Sequence, residues 1–225
     1  MLFLISAIVI MLLAWFNQWT GQERIASMLY AAFPLSLLLW LGSHTNLLLL
    51  GRDEEALLNW ISLGLIFLTV SPLLRLRQST SRFAEPLIAL AALSFALALD
   101  VFKPDDYGLL PAAIVAAMVL VVALRVLARF RASKQGDWLP AVPYVFSYSL
   151  LLYGSFYKLF DRNWVLPWSY LMAAGAIAFV LSGLLKAWRD LGLADDLWRK
   201  RIAIAFGLGQ LLIVISGLYH YARYF

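Results

Sequence analysis

The chain is predicted to be an all-α polytopic membrane protein, a bundle of about eight transmembrane helices forming a single integral membrane domain over residues 1–225. Three observations predict this class. Hydrophobic residues make up 63% of the chain, and its mean hydropathy of +0.82 is far above that of a soluble domain. The apolar residues fall in eight segments, most of them near the ~20 residues that a helix needs to cross a hydrocarbon core. Backbone amides cannot stay unpaired in lipid, so segments of this length must be helical.

The eight apolar segments span residues 2–17, 26–50, 57–74, 84–102, 108–128, 139–158, 167–187 and 202–222. The first lacks a basic start and a small-residue cleavage site, which favours a first span over a cleaved signal peptide. Pro34 and Pro72 lie inside segments two and three, where they should kink the helix. Segment seven is rich in small residues and segment eight contains Gly207 and Gly209, so these two helices are expected to pack closely. Tryptophans cluster near segment ends and predict an interfacial belt.

The distribution of basic residues predicts the orientation. Thirteen of the eighteen Lys and Arg residues lie in or beside the gaps after segments one, three, five and seven. The positive-inside rule places those gaps in the cytoplasm and both termini outside, as an even number of spans requires. We expect the bacterial inner membrane as the location. The sequence pI near 9.6 is therefore read as contact with anionic lipid, and no nucleic-acid partner is expected.

Several kinds of site are excluded by composition. The chain has no cysteine and only two histidines, His44 and His220, near its opposite ends. This argues against a thiol nucleophile and against a metal site built from several histidines. The sequence also lacks the phosphate-binding, nucleophile-elbow and zinc-protease motifs. No cofactor and no metal are expected.

A few polar residues inside the apolar segments are candidates for function, because burying such groups in a bilayer is costly. Glu85 opens segment four, where the helix dipole alone could explain a carboxylate. Gln210 lies about nine residues into segment eight and predicts either an interhelical hydrogen bond or a ligand contact. Segment six carries two tyrosine pairs spaced four residues apart, which form either a packed aromatic ridge or the lining of a lipid-headgroup cavity: Tyr144 with Tyr148, and Tyr153 with Tyr157.

The last two segments carry a family resemblance. Segment seven has Gly-Ala at 175–176, Phe179 and Ser182-Gly183, and segment eight has Gln210 followed by Leu-Leu-Ile and, later, Ser216. Together they resemble the C-terminal signature of the YhhN-like lysoplasmalogenase family. The Phe-Pro-Leu of residues 33–35 and the stretch from 64 to 72 resemble that family's second and third segments. The resemblance implies an eight-span fold, membrane lipids or a lysophospholipid as substrate, and hydrolysis of the vinyl-ether bond of lysoplasmalogens.

The chain departs from the family where its aspartates stand, since it has Pro72 and Gly183 at those positions. Neither residue can act as an acid or a base, so activity must be weak or must use other groups. We expect catalytic roles for Glu85, Ser182 and Gln210, and substrate contacts from Ser71, Pro72, Gly183 and Tyr148. Ser71, Ser182 and Gln210 are expected to share one pocket in the cytoplasmic half. The alternatives are a non-catalytic lipid- or amphiphile-binding protein and a small-solute transporter, which the shortage of membrane-embedded charge disfavours.

Overall fold

A computed structural model describes residues 2–44, 53–76, 83–101, 109–133, 141–190 and 196–221. Within these ranges the chain forms eight α-helices and no strand, which confirms the predicted all-α class. The helices are α1 (Leu2–Trp19), α2 (Glu23–His44), α3 (Asp53–Arg75), α4 (Ala84–Ala98), α5 (Leu109–Ser133), α6 (Ala141–Tyr157), α7 (Leu166–Asp190) and α8 (Asp196–Tyr221).

The helices correspond one to one with the predicted segments, and the differences lie at their ends. Helix α8 begins six residues before its predicted start, because polar residues extend it beyond the apolar run. Helix α4 ends at Ala98, so the predicted end at 102 is wrong. The cause is local: the Leu99 amide donates to the Ala96 carbonyl, and Asp100 has a φ of 50°, a left-handed conformation that cannot continue the helix. Pro34 and Pro72 lie inside α2 and α3 as predicted.

Among the described helices, five are long and apolar enough to cross a membrane: α1, α2, α3 from Ala56, α7 and α8 from Arg201. Helix α4 and the part of α5 from Leu109 to Val122 are shorter apolar helices. Large apolar side chains such as Leu2, Leu110 and Met118 lie on the outer surface. A soluble monomer rarely exposes so much apolar surface, whereas hydrocarbon accommodates it. The protein is an integral membrane helical bundle.

Neighbouring helices pack in chain order except around α5. Helix α1 packs on α2, α2 on α3 and α3 on α4, whereas α4 packs on α6. Helix α5 lies at the periphery against α6, and Ala112 is the one buried residue among those of α5 whose exposure is described. Helix α8 packs on α7 and also on α1, α2 and α3, which closes the bundle.

The core is centred on Phe179 of α7, whose side chain is fully buried. Its ring lies 5.8 Å from that of Phe95, 5.9 Å from that of Tyr148 and 5.2 Å from that of Phe206, measured between centroids. Aromatic pairs of this kind contribute about 0.5–1.5 kcal/mol each beyond their buried area. The ring therefore joins α7 to α4, α6 and α8.

Close approach of α7 and α8 depends on glycine. A Cβ added at Gly209 would lie 2.7 Å from the backbone nitrogen of Phe179, and one at Gly175 would lie 2.9 Å from that of Ile213. Backbone atoms cannot move aside as a side chain can, so these positions accept only hydrogen. The predicted close packing of the last two helices is confirmed.

Candidate functional site

Four polar side chains from four helices meet at one end of the bundle; we call Arg75, Glu85, Tyr144 and Lys186 the Glu85 cluster. Arg75 Nη2 lies 2.6 Å from Oε1 of Glu85, and Lys186 Nζ lies 2.5 Å from its Oε2. The Tyr144 hydroxyl donates a hydrogen bond to the same Oε2 at 2.6 Å and also contacts the Glu85 backbone oxygen. Both carboxylate oxygens are thus engaged.

The positions of these residues along their helices explain why they meet. Arg75 is the last residue of α3, Glu85 is the second of α4, Tyr144 is the fourth of α6, and Lys186 lies about one turn before the end of α7. Antiparallel packing brings these ends to one side. The Ser71 hydroxyl donates to the Ala84 carbonyl at 2.9 Å and fixes α3 beside the start of α4.

The start of α4 also favours a carboxylate electrostatically. Phe83 at the N-cap position makes no side-chain hydrogen bond to the free amides of the first turn. A negative charge near those amides is stabilised by the helix dipole. The position of Glu85 in the first turn of α4 is therefore electrostatically favourable, in addition to its contacts with the two cations.

Tyr148 connects the Glu85 cluster to the core. Its ring contacts that of Tyr144 edge-on at 5.6 Å and that of Phe179 at 5.9 Å. A Cβ added at Gly183 would lie 2.7 Å from the Tyr148 hydroxyl oxygen and nearer still to the ring carbon Cε2. The ring thus occupies space that any side chain at 183 would need. Gly183 and Tyr148, both predicted to contact substrate, pack on each other.

The Glu85 cluster is accessible from outside the protein. The side chains of Arg75, Glu85 and Lys186 are 42%, 32% and 28% exposed. Two cations face one carboxylate, which leaves one net positive charge. Partly exposed ion pairs contribute little to stability. Because their side chains are partly exposed, Arg75 and Lys186 are accessible to an anion from outside the protein.

The structure brings some of the predicted site residues together. Ser71, Glu85, Tyr148 and Gly183 lie in or beside the cluster, and half-buried Pro72 follows Ser71 in α3.

The remaining two residues, Ser182 and Gln210, are buried, but no contact between either and Glu85 is described. The Ser182 hydroxyl donates to the Phe179 carbonyl of its own helix at 2.6 Å. Gln210 is 1% exposed and so does not face lipid, and its Oε1 has no hydrogen-bond partner among the described residues. One pocket shared by Ser71, Ser182 and Gln210 stays a prediction.

Sequence reasoning missed Arg75, Tyr144 and Lys186 as members of the site. Tyr144 is predicted only as a member of a tyrosine pair that forms either a packed aromatic ridge or the lining of a lipid-headgroup cavity. One signal was available in the sequence. All three residues lie at helix ends predicted to face the cytoplasm, and Glu85 lies at a helix end on the same side. The contact between α4 and α6 that completes the cluster is not local in sequence.

A second polar group lies at the opposite end of the bundle; we call Lys158, Asp161, Trp164 and His220 the Asp161 cluster. Lys158 Nζ lies 2.8 Å from Asp161 Oδ2, and both side chains are under 10% exposed. The Lys158 ammonium also lies 5.8 Å from the Trp164 ring, which stacks on His220 with centroids 4.0 Å apart. Trp164 is thus buried rather than part of the predicted belt.

The Asp161 carboxylate is held ionised in the turn between α6 and α7. Burial alone raises its pKa. The hydrogen bonds from Lys158 and from the Asn163 backbone amide, together with the charge of Lys158, outweigh burial and hold the pKa below its usual range. The cluster therefore ties the turn to the end of α8.

Neither cluster has the composition of a metal site. Within the ranges that the structure describes, no group of three or more His, Cys, Asp or Glu side chains is placed to hold a metal ion. Comparison of the chain with protein-family models, curated proteins and solved structures finds no match.

Proposed function

We propose that this chain is a lysoplasmalogenase-like integral membrane protein that binds a lysophospholipid at the Glu85 cluster and cleaves its vinyl-ether bond weakly or not at all. The observation that supports this is the meeting of Ser71, Glu85, Tyr148 and Gly183 at one end of the bundle. These four residues were predicted from the sequence as site residues. They come from four different helices and are linked by the contacts around Glu85 and Tyr148. The lipid-metabolism and hydrolase roles implied by the family resemblance are part of the proposal.

The chemistry of vinyl-ether cleavage explains why we expect weak catalysis. A proton must be added to the vinyl carbon, water then attacks the carbon bonded to oxygen, and the hemiacetal breaks into an aldehyde and a glycerophospho alcohol. Such a reaction suits one protonated acid and one base. Glu85 is engaged by two cations and so has no proton to give. Tyr144 and Tyr148 are phenols, which are far weaker acids than a carboxylic acid.

The proposed location is the bacterial inner membrane with both termini outside. This orientation follows from the basic residues in alternate gaps and places the Glu85 cluster at the cytoplasmic surface. A lysophospholipid of the inner leaflet could then insert its chain beside the apolar helices while its headgroup reaches the cluster.

Aldehyde release from a lysoplasmalogen by purified protein in nanodiscs tests the proposal. We expect saturable binding of the lipid with aldehyde release close to the protein-free rate, because acid–base catalysis worth 10²–10⁴-fold is missing its acid. Rapid release by the native protein would contradict the expected weak catalysis. The Glu85→Gln variant would then identify the acid: loss of release assigns it to Glu85, and unchanged release assigns it elsewhere.

A further inference from the structure

The arrangement around Glu85 is that of an anion-binding site whose anion belongs to the protein. Three donors, from Arg75, Tyr144 and Lys186, converge on one carboxylate from three helices. The carboxylate itself comes from a fourth helix. The protein has thus assembled around Glu85 the donors that a bound oxyanion requires.

The charge and donor geometry fit a phosphate. A phosphodiester has one negative charge and two non-ester oxygens, as a carboxylate has one charge and two oxygens. An arginine guanidinium binds phosphate with two parallel hydrogen bonds, and a lysine supplies a point charge. Arg75 contacts one carboxylate oxygen of Glu85 and Lys186 contacts the other. The two side chains can therefore bind two oxygens of a single phosphate.

The depth of the cluster also fits a lipid headgroup. All four residues lie within about one turn of a helix end on the same side of the bundle. Arg75 and Lys186 lie near the ends of α3 and α7, two of the helices long and apolar enough to cross a membrane. Such ends lie at the boundary of a hydrocarbon core roughly 30 Å thick, where the phosphates of lipids are found. The side chains are partly exposed there, so a headgroup can reach them.

We propose that Arg75, Lys186 and Tyr144 form a binding site for the phosphate of a lysophospholipid headgroup, and that Glu85 competes with that phosphate as an internal anion. The choice of a lysophospholipid as the carrier of the phosphate rests on the proposed function. The competition between phosphate and Glu85 rests on the contacts alone. It makes an unusual prediction: removing the carboxylate strengthens binding.

The test compares Glu85→Gln with the native protein in binding a fluorescent lysophosphatidylcholine. Glutamine keeps the shape and can still accept from Tyr144, but it no longer competes as an anion. We expect its Kd to fall about tenfold, a change of about 1.4 kcal/mol. The Arg75→Gln/Lys186→Gln double variant should raise the Kd by at least a similar factor. Glu23→Gln is the matched control, because it removes an exposed carboxylate from the first turn of α2, at the same end of the bundle.

Three results decide the matter. Tighter binding in Glu85→Gln with no change in Glu23→Gln supports the site. Equal or weaker binding in Glu85→Gln overturns it, and so does an equal gain in Glu23→Gln, which would reflect net charge alone.

Inorganic phosphate separates failure of this proposal from failure of the proposed function. If no lysophospholipid binds, thermal stabilisation by phosphate that increases in Glu85→Gln still supports a phosphate site and identifies free phosphate as the ligand. No phosphate effect on either protein, together with no lipid binding, overturns the site. Lipid binding that excess phosphate weakens supports a headgroup phosphate at this site. Lipid binding that neither excess phosphate nor Arg75→Gln/Lys186→Gln weakens overturns the proposal.

Discussion

Replacing Gly183 with alanine is expected to destabilise the protein through one collision. The added Cβ would lie 2.7 Å from the hydroxyl oxygen of Tyr148 and 2.8 Å from its Cζ. Carbon contacts are optimal near 3.5–4.0 Å, so the ring must withdraw by roughly 1 Å. Tyr148 is buried between Tyr144 and Phe179 and has little room to do so. Overpacking costs about 1–3 kcal/mol and the gain in helix propensity returns about 1, so we expect a net loss of up to about 2 kcal/mol.

A double-mutant cycle attributes this loss to Tyr148. In a Tyr148→Ala background the ring is absent, so Gly183→Ala should become neutral or stabilise by up to about 1 kcal/mol. Gly207→Ala is the matched control in α8, because its Cβ would meet Met11 Sδ at 2.9 Å, the flexible end of a side chain. We expect that variant to be close to neutral.

Equilibrium unfolding in mixed detergent micelles, followed by tryptophan fluorescence, measures these differences. Equal losses for Gly183→Ala with and without the Tyr148 ring would refute the packing argument. The same collision affects a restored family aspartate: Gly183→Asp should regain hydrolysis with Pro72→Asp only if Tyr148 is also made smaller.

Three further predictions concern other parts of the chain. Ser216→Ala removes a 2.6 Å hydrogen bond to the Trp168 carbonyl and should cost about 0.5–1.5 kcal/mol in the same unfolding assay; an unchanged midpoint would contradict this. Because the folded-state pKa of Asp161 is depressed, its stabilising contribution is complete above the usual carboxyl pKa of about 3.9 and is lost as pH falls through the lower folded value. In Asp161→Asn, the free energy of unfolding should therefore fall less as the pH is lowered into the acid range. The same pH dependence as in the native protein would exclude this role. Reporter fusions at Phe225 and at Lys134 should report outside and cytoplasm respectively; a cytoplasmic signal from Phe225 would contradict the eight-span orientation.

The helices, and the close contact between α7 and α8, could be predicted from the sequence because they depend on local properties. Apolar run length locates a membrane helix, and glycines such as Gly175 and Gly209 identify a face that can approach another backbone. The end of α4 was not predicted, because Leu99 and Val101 continue the apolar run on both sides of the turn at Asp100.

The neighbours of each helix depend on packing between segments distant in sequence, and hydropathy carries no information about that. For example, α4 packs on α6, and α5 lies outside that contact although it comes between them in the sequence.

The residues of the candidate site were likewise predicted only in part. Glu85 was identified because a carboxylate at a membrane helix end needs an explanation. Its partners were not, because Lys186 lies 101 positions further along the chain.

The Asp161 cluster was missed for a related reason. Lys158 and Asp161 lie in a short loop. Charged residues in loops are ordinarily solvated, so the sequence gives no sign that these two are buried. Their burial comes from Trp164 and from His220 of α8, more than fifty residues later in the chain. Only the folded chain reveals that this loop contains a buried ion pair.

A structure of the protein in nanodiscs with a bound lysophospholipid would show directly whether the headgroup phosphate occupies the Glu85 cluster. We expect headgroup phosphate oxygens at hydrogen-bond distance, about 2.7–3.2 Å, from the nitrogen atoms of Arg75 and Lys186, with the Glu85 carboxylate displaced from at least one of them. A headgroup bound instead at the Asp161 cluster, with the contacts of Glu85 unchanged, would contradict this expectation.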